Sequence, residues 1–564
     1  MALTETRPET TMGPDGEETS PATLDGFIGS SDHKTIGRAW IALGLIMLVG
    51  AAVITAVAGF EATSLSGYDI VEDGEEFTQV WSLGRELLLL GGIVPILIGL
   101  ATYLVPLQIG APAIAFPRGA AGAMWTWLLG VALLIGSYLL NGGPGGGQTD
   151  FVVLWAVSLG MMLAALTWAM VVIATTILGA RTQGMVLERV PHTTWSFLVF
   201  SLIGLLALPI MMAELVLIYV QVRHGFLPLG ARDGLTGVLS GLSLAPGVYW
   251  VGIPLLGMAV DMIGVHTEAP VRAHRPIMMA VGLFGILAYG MDYFAMGSGR
   301  ALDFNNELLA LTLALGVLPV LAVLGLAGSS LRGGKLNITP PLVGSLVAGL
   351  LLLLATIVSL LGLAEPVALF LAEDLDANVD LDRLLVLNGT TFHDGVRGIV
   401  MGAAVVIVIA ALHHWSTKIW GRRAAQPLGF LAILAAAAGA VLWGAGGVLA
   451  GVDDQAAYPV STLVGGENVE TFNVLAWVGM LLVLVGAVVG LGSVAGAIVG
   501  SGARRGDAWT GTTLEWLAAS PPTTGNFGSP PVVASAFPLE DLAAAGEAET
   551  AVDADGASND AEEA

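Results

Sequence analysis

Apolar residues fall in twelve long runs, at about 37–60, 83–104, 123–141, 152–178, 194–222, 244–265, 277–297, 306–328, 340–363, 396–415, 426–450 and 472–500. Each is roughly 19–29 residues long, enough to cross the hydrocarbon core of a bilayer as a helix. Breaks between runs carry the polar and turn-forming residues, as in Asn141–Gly147, NGGPGGG, a tight irregular turn. Glu365–Asp382 is acidic, and Val452–Glu470 contains no Lys or Arg. No repeat of 20–50 residues is evident. The pattern predicts an all-α, polytopic membrane protein with about twelve transmembrane helices. Both ends lack apolar periodicity, so residues 1–30 and 536–564 are expected to be acidic disordered tails flanking a transmembrane domain over 31–535.

Composition supports the membrane reading: of 564 residues, 55% are hydrophobic and 12% charged, with mean hydropathy +0.81. The 76 glycines suit helices whose backbones approach closely. Much of the net charge of −24 lies in the two tails, and no basic patch favours nucleic acid. Lysine occurs only as Lys34, Lys335 and Lys418, a surface chemistry expected of a halophile. The absence of cysteine excludes disulfides, thiolate metal sites and cysteine catalysis. The polar, acidic N-terminus is not read as a cleavable signal. With that terminus in the cytoplasm, fourteen Lys and Arg fall on inner segments and six on outer ones, Arg7 in the tail completing 21. This obeys the positive-inside rule and predicts a multi-pass protein of the plasma membrane with both termini cytoplasmic.

One stretch departs from a plain lipid-facing helix. Leu242–Trp250 reads LSLAPGVYW, with Pro246 and Gly247 in the first turns of the sixth run and Tyr249 close behind. Proline removes an amide donor and glycine a side chain, so such a pair marks protein-buried backbone near a cavity or ligand.

Several loop segments carry recognisable motifs. Ser31–Gly37 reads SDHKTIG, and Tyr103–Arg118 reads YLVPLQIGAPAIAFPR. Arg181–Trp195 keeps the spacing R-x-x-G-M-x-L-x-R-x-P-x-x-x-W, and Thr513–Phe527 reads TLEWLAASPPTTGNF. Gly333–Lys335 and Trp415–Arg422 also match. In this order, these segments resemble subunit I of the haem–copper oxidases, the main subunit of cytochrome c oxidase, over roughly residues 31–535. The resemblance implies the twelve-helix arrangement of that family, two haems and one copper, and companion subunits in an aerobic respiratory chain.

The family's chemistry requires six histidines, because imidazole offers a neutral nitrogen lone pair to iron or copper. In the motif register those positions are substituted here. Gly84 stands at the first low-spin haem ligand, within Gln79–Arg85. The copper motif H-P-E-V-Y has become Ala245-Pro246-Gly247-Val248-Tyr249, losing the ligand at Ala245 and the proton-gating glutamate at Gly247 while keeping Pro246 and Tyr249. Met291 and Asp292 replace the adjacent copper pair, with Asp292 expected to face the emptied copper cavity beside Tyr249. Asp394 and Val396 replace the last haem pair, and His393 lies one residue from the high-spin position. Asp453 and Asp454 fall where arginines would bind haem propionates, a reversal of charge. Ala113 and Val323 take the places of the proton-channel aspartate and lysine. No haem or copper is expected, and no catalytic residue is assigned.

Eight histidines remain, and the expected roles are interfacial or capping ones. His413 and His414 lie about 30 Å along their helix from His393, at 1.5 Å per residue. Glu86, Glu214 and Asp261, in or near helix ends, are functional candidates by default at membrane depth, with hydrogen-bonded helix contacts as the bland alternative. The sequence therefore predicts a non-catalytic, structural or assembly subunit, partnered by subunit II, subunit III or a catalytic subunit I and by lipids. The alternatives are a divergent terminal oxidase coupling O2 reduction to proton translocation, and an ion or small-molecule conduit through the vacated core.

Overall fold

The computed structural model describes residues 29–64, 69–144, 146–225, 247–295, 304–365, 367–368, 385–387, 389–457, 466–500, 509, 511–529 and 531–544. Ala245 and Pro246 lie outside them, as do the side chain of Asp292, most of the acidic Glu365–Asp382 loop, and residues 1–28 and 545–564.

Twelve helical passages follow the twelve apolar runs. They are α1 (His33–Glu61), α2 (Gly74–Gln108), α3 (Pro117–Leu139), α4 (Thr149–Gly179), α5 (His192–His224) and α6 (Val248–His266), then α7 (His274–Ala295). α8 runs as Phe304–Leu315, Val317–Gly328 and Ser330–Gly333, followed by α9 (Pro340–Leu363), α10 (Phe392–His414), α11 (Gln426–Val452) and α12 (Val469–Val499). Eleven of these are long and apolar enough to cross a membrane among the described residues. Among the described residues the fold is all-α, with one isolated β-bridge, Thr390 to Ala456.

Neighbouring helices pair in sequence, α3 with α4, α4 with α5, α9 with α10, α10 with α11 and α11 with α12, and α12 returns to α1. At the centre stand α2 and α10, whose most apolar windows are wholly buried, and α6, at 83%. Of the substituted ligand positions, the register assigns Gly84 to α2 and Asp394 and Val396 to α10. Glycine sets the closeness of the α10–α11 contact: a Cβ on Gly395 would stand 2.4 Å from the Val448 nitrogen. α11 and α12 meet the same way, where a Cβ on Gly439 would lie 2.6 Å from the Gly479 oxygen.

α2 is not a uniform helix. Leu87–Ile93 is π-helical, between α-helical Gly74–Glu86 and Val94–Gln108. Pro95 has no amide to give back to this segment, and the Leu90 carbonyl instead accepts from the Trp127 indole at 3.0 Å. The wide turn changes the facing of Gly84–Glu86 relative to the rest of α2.

On the side holding His33, Gln108, His192, His266 and Lys418, the segment after α12 forms a strap. Lys34 and Lys418 donate to the carbonyls of Thr523 and Ala518, Gln108 donates to Glu515 at 2.9 Å, and Asn526 donates to the Ala111 carbonyl at 2.8 Å. Residues 538–544, expected in the disordered tail, are instead helical. They are anchored by Leu539, whose amide donates to Thr512 and whose side chain packs on the core, and by Phe537 beside Arg272 and His274. Two large apolar side chains at 537 and 539 supply the burial that the surrounding acidic composition concealed.

Candidate functional site

Between the ends of α1, α2, α10, α11 and α12 lies a cavity of about 100 Å³, walled by Thr55, Trp81, Arg85, Asp394, Arg397, Trp443 and Gln455 among others. Gly84 does not face it. A Cβ there would lie 3.1 Å from Thr55 Oγ1 and 3.3 Å from the Thr55 nitrogen, so this position turns to α1. The next residue, Arg85, reaches across instead, forming an ion pair with Asp394 on α10 and lying over the Trp81 ring at 4.2 Å. Arg397 donates to the Arg85 carbonyl at 3.2 Å. All three charged residues come from the registers in which the family places haem ligands or their neighbours. Val396 points into packing and is buried.

These residues do not fit a low-spin haem. A side chain at Gly84 meets the α1 backbone, the ion pair bridges α2 to α10 directly, and about 100 Å³ is well below the roughly 300–1,000 Å³ of pockets that hold drug-sized ligands.

At the copper position Gly247 begins a 3-10 turn, Val248–Val251, that leads into α6. The Tyr249 hydroxyl is tied to α9, donating to the Ala355 carbonyl at 3.2 Å and pairing closely with Ser359. Thus its hydroxyl has partners on α9, and the side chain of Asp292, expected beside it, lies outside the described residues. Met291 is fully buried, its sulfur pressed against Gly316 of the α8 region. His393 is half-buried beside Phe392, and among the described residues its buried Nε2 has no hydrogen-bond partner. It lines neither cavity described here. Among the described residues, no three His, Asp or Glu are grouped to hold a metal ion.

Asp453 and Asp454 take a structural part. Asp454 adopts φ 61°, and the Gln455 amide bonds the Ala450 carbonyl at 3.0 Å, the long-range bond of a Schellman cap ending α11. The Asp453 carboxylate accepts from the Asn468 amide at 3.0 Å and so pins the start of α12. Ala113 is half-buried in the loop after α2, and Val323 is buried in α8.

The intramembrane carboxylates Glu86 and Asp261 are hydrogen-bonded helix contacts. Glu86 accepts from the Tyr138 hydroxyl at 3.1 Å and the Trp155 indole at 3.2 Å, joining α2 to α3 and α4. Asp261 accepts from the Thr193 amide at 2.8 Å and holds the His192 ring at 3.0 Å. Glu214 is half-buried on α5.

Sequence reasoning missed a second polar cluster on the strap side. A cavity of about 300 Å³ is lined by His192, Asp261, His274, His414, Glu515 and the strap residues Thr512, Thr513 and Phe537. The His192 and His274 rings lie 4.3 Å apart, and His266 and His414 share a 3.0 Å hydrogen bond. His413 turns away to Ser493 at 2.8 Å. Burial pushes the Glu515 carboxyl above its ordinary value near 4.5. The contributing residues span positions 192 to 537, so no local spacing signals the cluster.

Residues 35–376 match the family model described as Cytochrome C and Quinol oxidase polypeptide I. The chain is 26% identical to cytochrome c oxidase subunit 1 of Synechocystis over 90% of its own length and 91% of that protein's. It is also 26% identical to a putative cytochrome c oxidase subunit 1-beta of Streptomyces avermitilis, covering 93% of each. With quinol oxidase subunit 1 of Bacillus subtilis it shares 26% identity over 52% of this chain and 48% of the other. A cryo-EM structure of a haem–copper terminal oxidase dimer superposes with a TM-score of 0.63 at 12% identity, covering 84% of this chain and 85% of that one. The family normally binds haems and copper and works with other oxidase subunits, and it is to this family, cytochrome c and quinol oxidase subunit I, that the chain belongs.

Proposed function

We propose that this chain is a non-catalytic, haem- and copper-free subunit of an aerobic respiratory oxidase complex in the plasma membrane, with both termini cytoplasmic and a structural or assembly role. The observation that carries the reading is the Arg85–Asp394 ion pair, stacked on Trp81. It joins α2 to α10 through side chains where a low-spin haem would join them through iron. The loss of imidazoles at Gly84, Ala245, Met291, Asp292, Asp394 and Val396 supports it, as do the retained loop motifs, which are what neighbouring subunits touch. Such a subunit contributes shape and contact surface, and O2 reduction falls to a partner that keeps all six histidines. A reduced-minus-oxidised visible spectrum of the purified chain with metal analysis tests this. The expected result is no stoichiometric haem, iron or copper, and co-purification with a copper-bearing subunit II or a complete subunit I. Stoichiometric haem in this chain overturns it.

A second reading, a divergent terminal oxidase, draws on one observation, the buried His393 Nε2 that has no hydrogen-bond partner among the described residues. An orphaned imidazole nitrogen is what an axial haem ligand leaves behind. If it serves that purpose, His393→Ala abolishes a Soret band that the unaltered chain shows; the primary reading expects no band in either.

A further inference from the structure

We infer that the cavity between α2 and α10 is a binding site for a small planar oxyanion of the carboxylate class, held by the free edge of Arg85. The guanidinium of Arg85 presents two donor faces. Nη1 is engaged by Asp394, and the flat face lies over Trp81 at 4.2 Å. The remaining edge, Nε and Nη2, is buried and has no hydrogen-bond partner among the described residues, and Arg85 as a whole is only 8% exposed. That edge is the pair of parallel N–H groups that matches the two oxygens of a carboxylate. Leaving a charged fork buried and unpaired is costly, so a ligand that fills it is favoured over an empty space.

The surroundings select the ligand. The charged residues on the cavity wall are Arg85, Arg397 and Asp394, two cations for one anion. Thr55 Oγ1 is buried and without a partner among the described residues, a hydroxyl available to donate to the same ligand. Gln455 Oε1 is likewise without one, and it suits either an anion bearing a hydroxyl or, after a half-turn of the amide, a third N–H. About 100 Å³ takes hydrogencarbonate, formate or acetate and is too small for a lipid headgroup. The inference rests on the haem-free reading of this space.

The test uses the full chain in nanodiscs of zwitterionic lipid. Its visible spectrum is recorded first, and hydrogencarbonate, formate and chloride are then titrated by calorimetry and thermal unfolding. Saturable binding of the two oxyanions, stronger than that of chloride, is expected. Arg85→Lys keeps the charge but not the fork and should weaken oxyanion binding about tenfold or more. Asp394→Asn frees Arg85 further and should tighten it; unchanged affinity there overturns the site even if the lysine variant fails to fold. A haem spectrum defeats the proposed function and this site together, whereas a haem-free chain with no saturable oxyanion binding defeats the site alone. Loss of formate binding in discs of anionic lipid reassigns the fork to a lipid phosphate and likewise overturns the small-anion assignment.

Discussion

At the scale of single residues, the proposed haem-free reading rests on the Arg85–Asp394 pair, which joins α2 to α10. Buried ion pairs contribute little over an apolar replacement, yet removing one partner strands the other charge. Arg85→Met alone should therefore destabilise the chain by about 3–5 kcal/mol, and Arg85→Met with Asp394→Leu should recover much of that loss. Thermal unfolding of the two singles and the double measures the coupling. Equal losses in the single and the double would show that the pair is not the link. Glu515 gives a pH-dependent counterpart. Burial first, and Asp261 in addition, raise its folded carboxyl, while Gln108 donates to it and works in the opposite direction. A raised acid favours its protonated form when folded, so stability from this group falls as pH rises above the unfolded value near 4.5. Glu515→Gln should match the parent in Tm at low pH and exceed it at neutral pH. A difference that does not grow with pH contradicts the assignment.

At the scale of helices, much was legible beforehand. Twelve apolar runs became twelve helical passages because a backbone in lipid must satisfy its own hydrogen bonds, so length and hydropathy alone decide the element. The facing of side chains was not legible. Gly84 sits at the motif register for a ligand but turns to α1, and the π segment over Leu87–Ile93 accompanies that facing. Nor does the sequence announce that Arg85 meets a residue 309 positions away. Asp453 and Asp454 looked like a reversed propionate site by register; locally they are the end of one helix and the pin of the next. The glycines at helix contacts carry a prediction of their own. Gly395→Ala forces a methyl to 2.4 Å from the α11 backbone and should cost about 1–3 kcal/mol or more, while Gly50→Ala, with nothing within 4 Å, should be neutral or slightly stabilising. Unfolding temperatures of the two variants, compared in one detergent, decide it.

For the molecule as a whole, the family's shape is kept, and the proposed function takes it to have outlasted the residues its chemistry requires. The core helices α2, α6 and α10 are packed by side-chain contacts, and the loops keep the motifs of an oxidase subunit. The strap is part of this body. Leu514, Trp516 and Val533 are buried, and Lys418, fully buried, points its ammonium at the strap and lies 5.5 Å from the Trp516 ring. Removing residues from 509 onward exposes several side chains worth about 1.5–3 kcal/mol each, comparable with a typical total stability of about 5–15 kcal/mol. The truncated chain should fail to accumulate as a monodisperse, protease-resistant species on size-exclusion chromatography.

The same strap bears on the order in which the protein is made. His33 and Lys34, at the start of the first helix, find their partners in Asn526 and Thr523, nearly five hundred residues later. α12 also closes against α1. Helices therefore enter the membrane one after another with the first still lacking part of its final neighbourhood. The ring shuts only after the segment beyond α12 has left the ribosome and folded back. Until then His33 and Lys34 lack the partners that the strap gives them, so an unfinished copy leaves polar groups at the start of α1 that the finished fold covers.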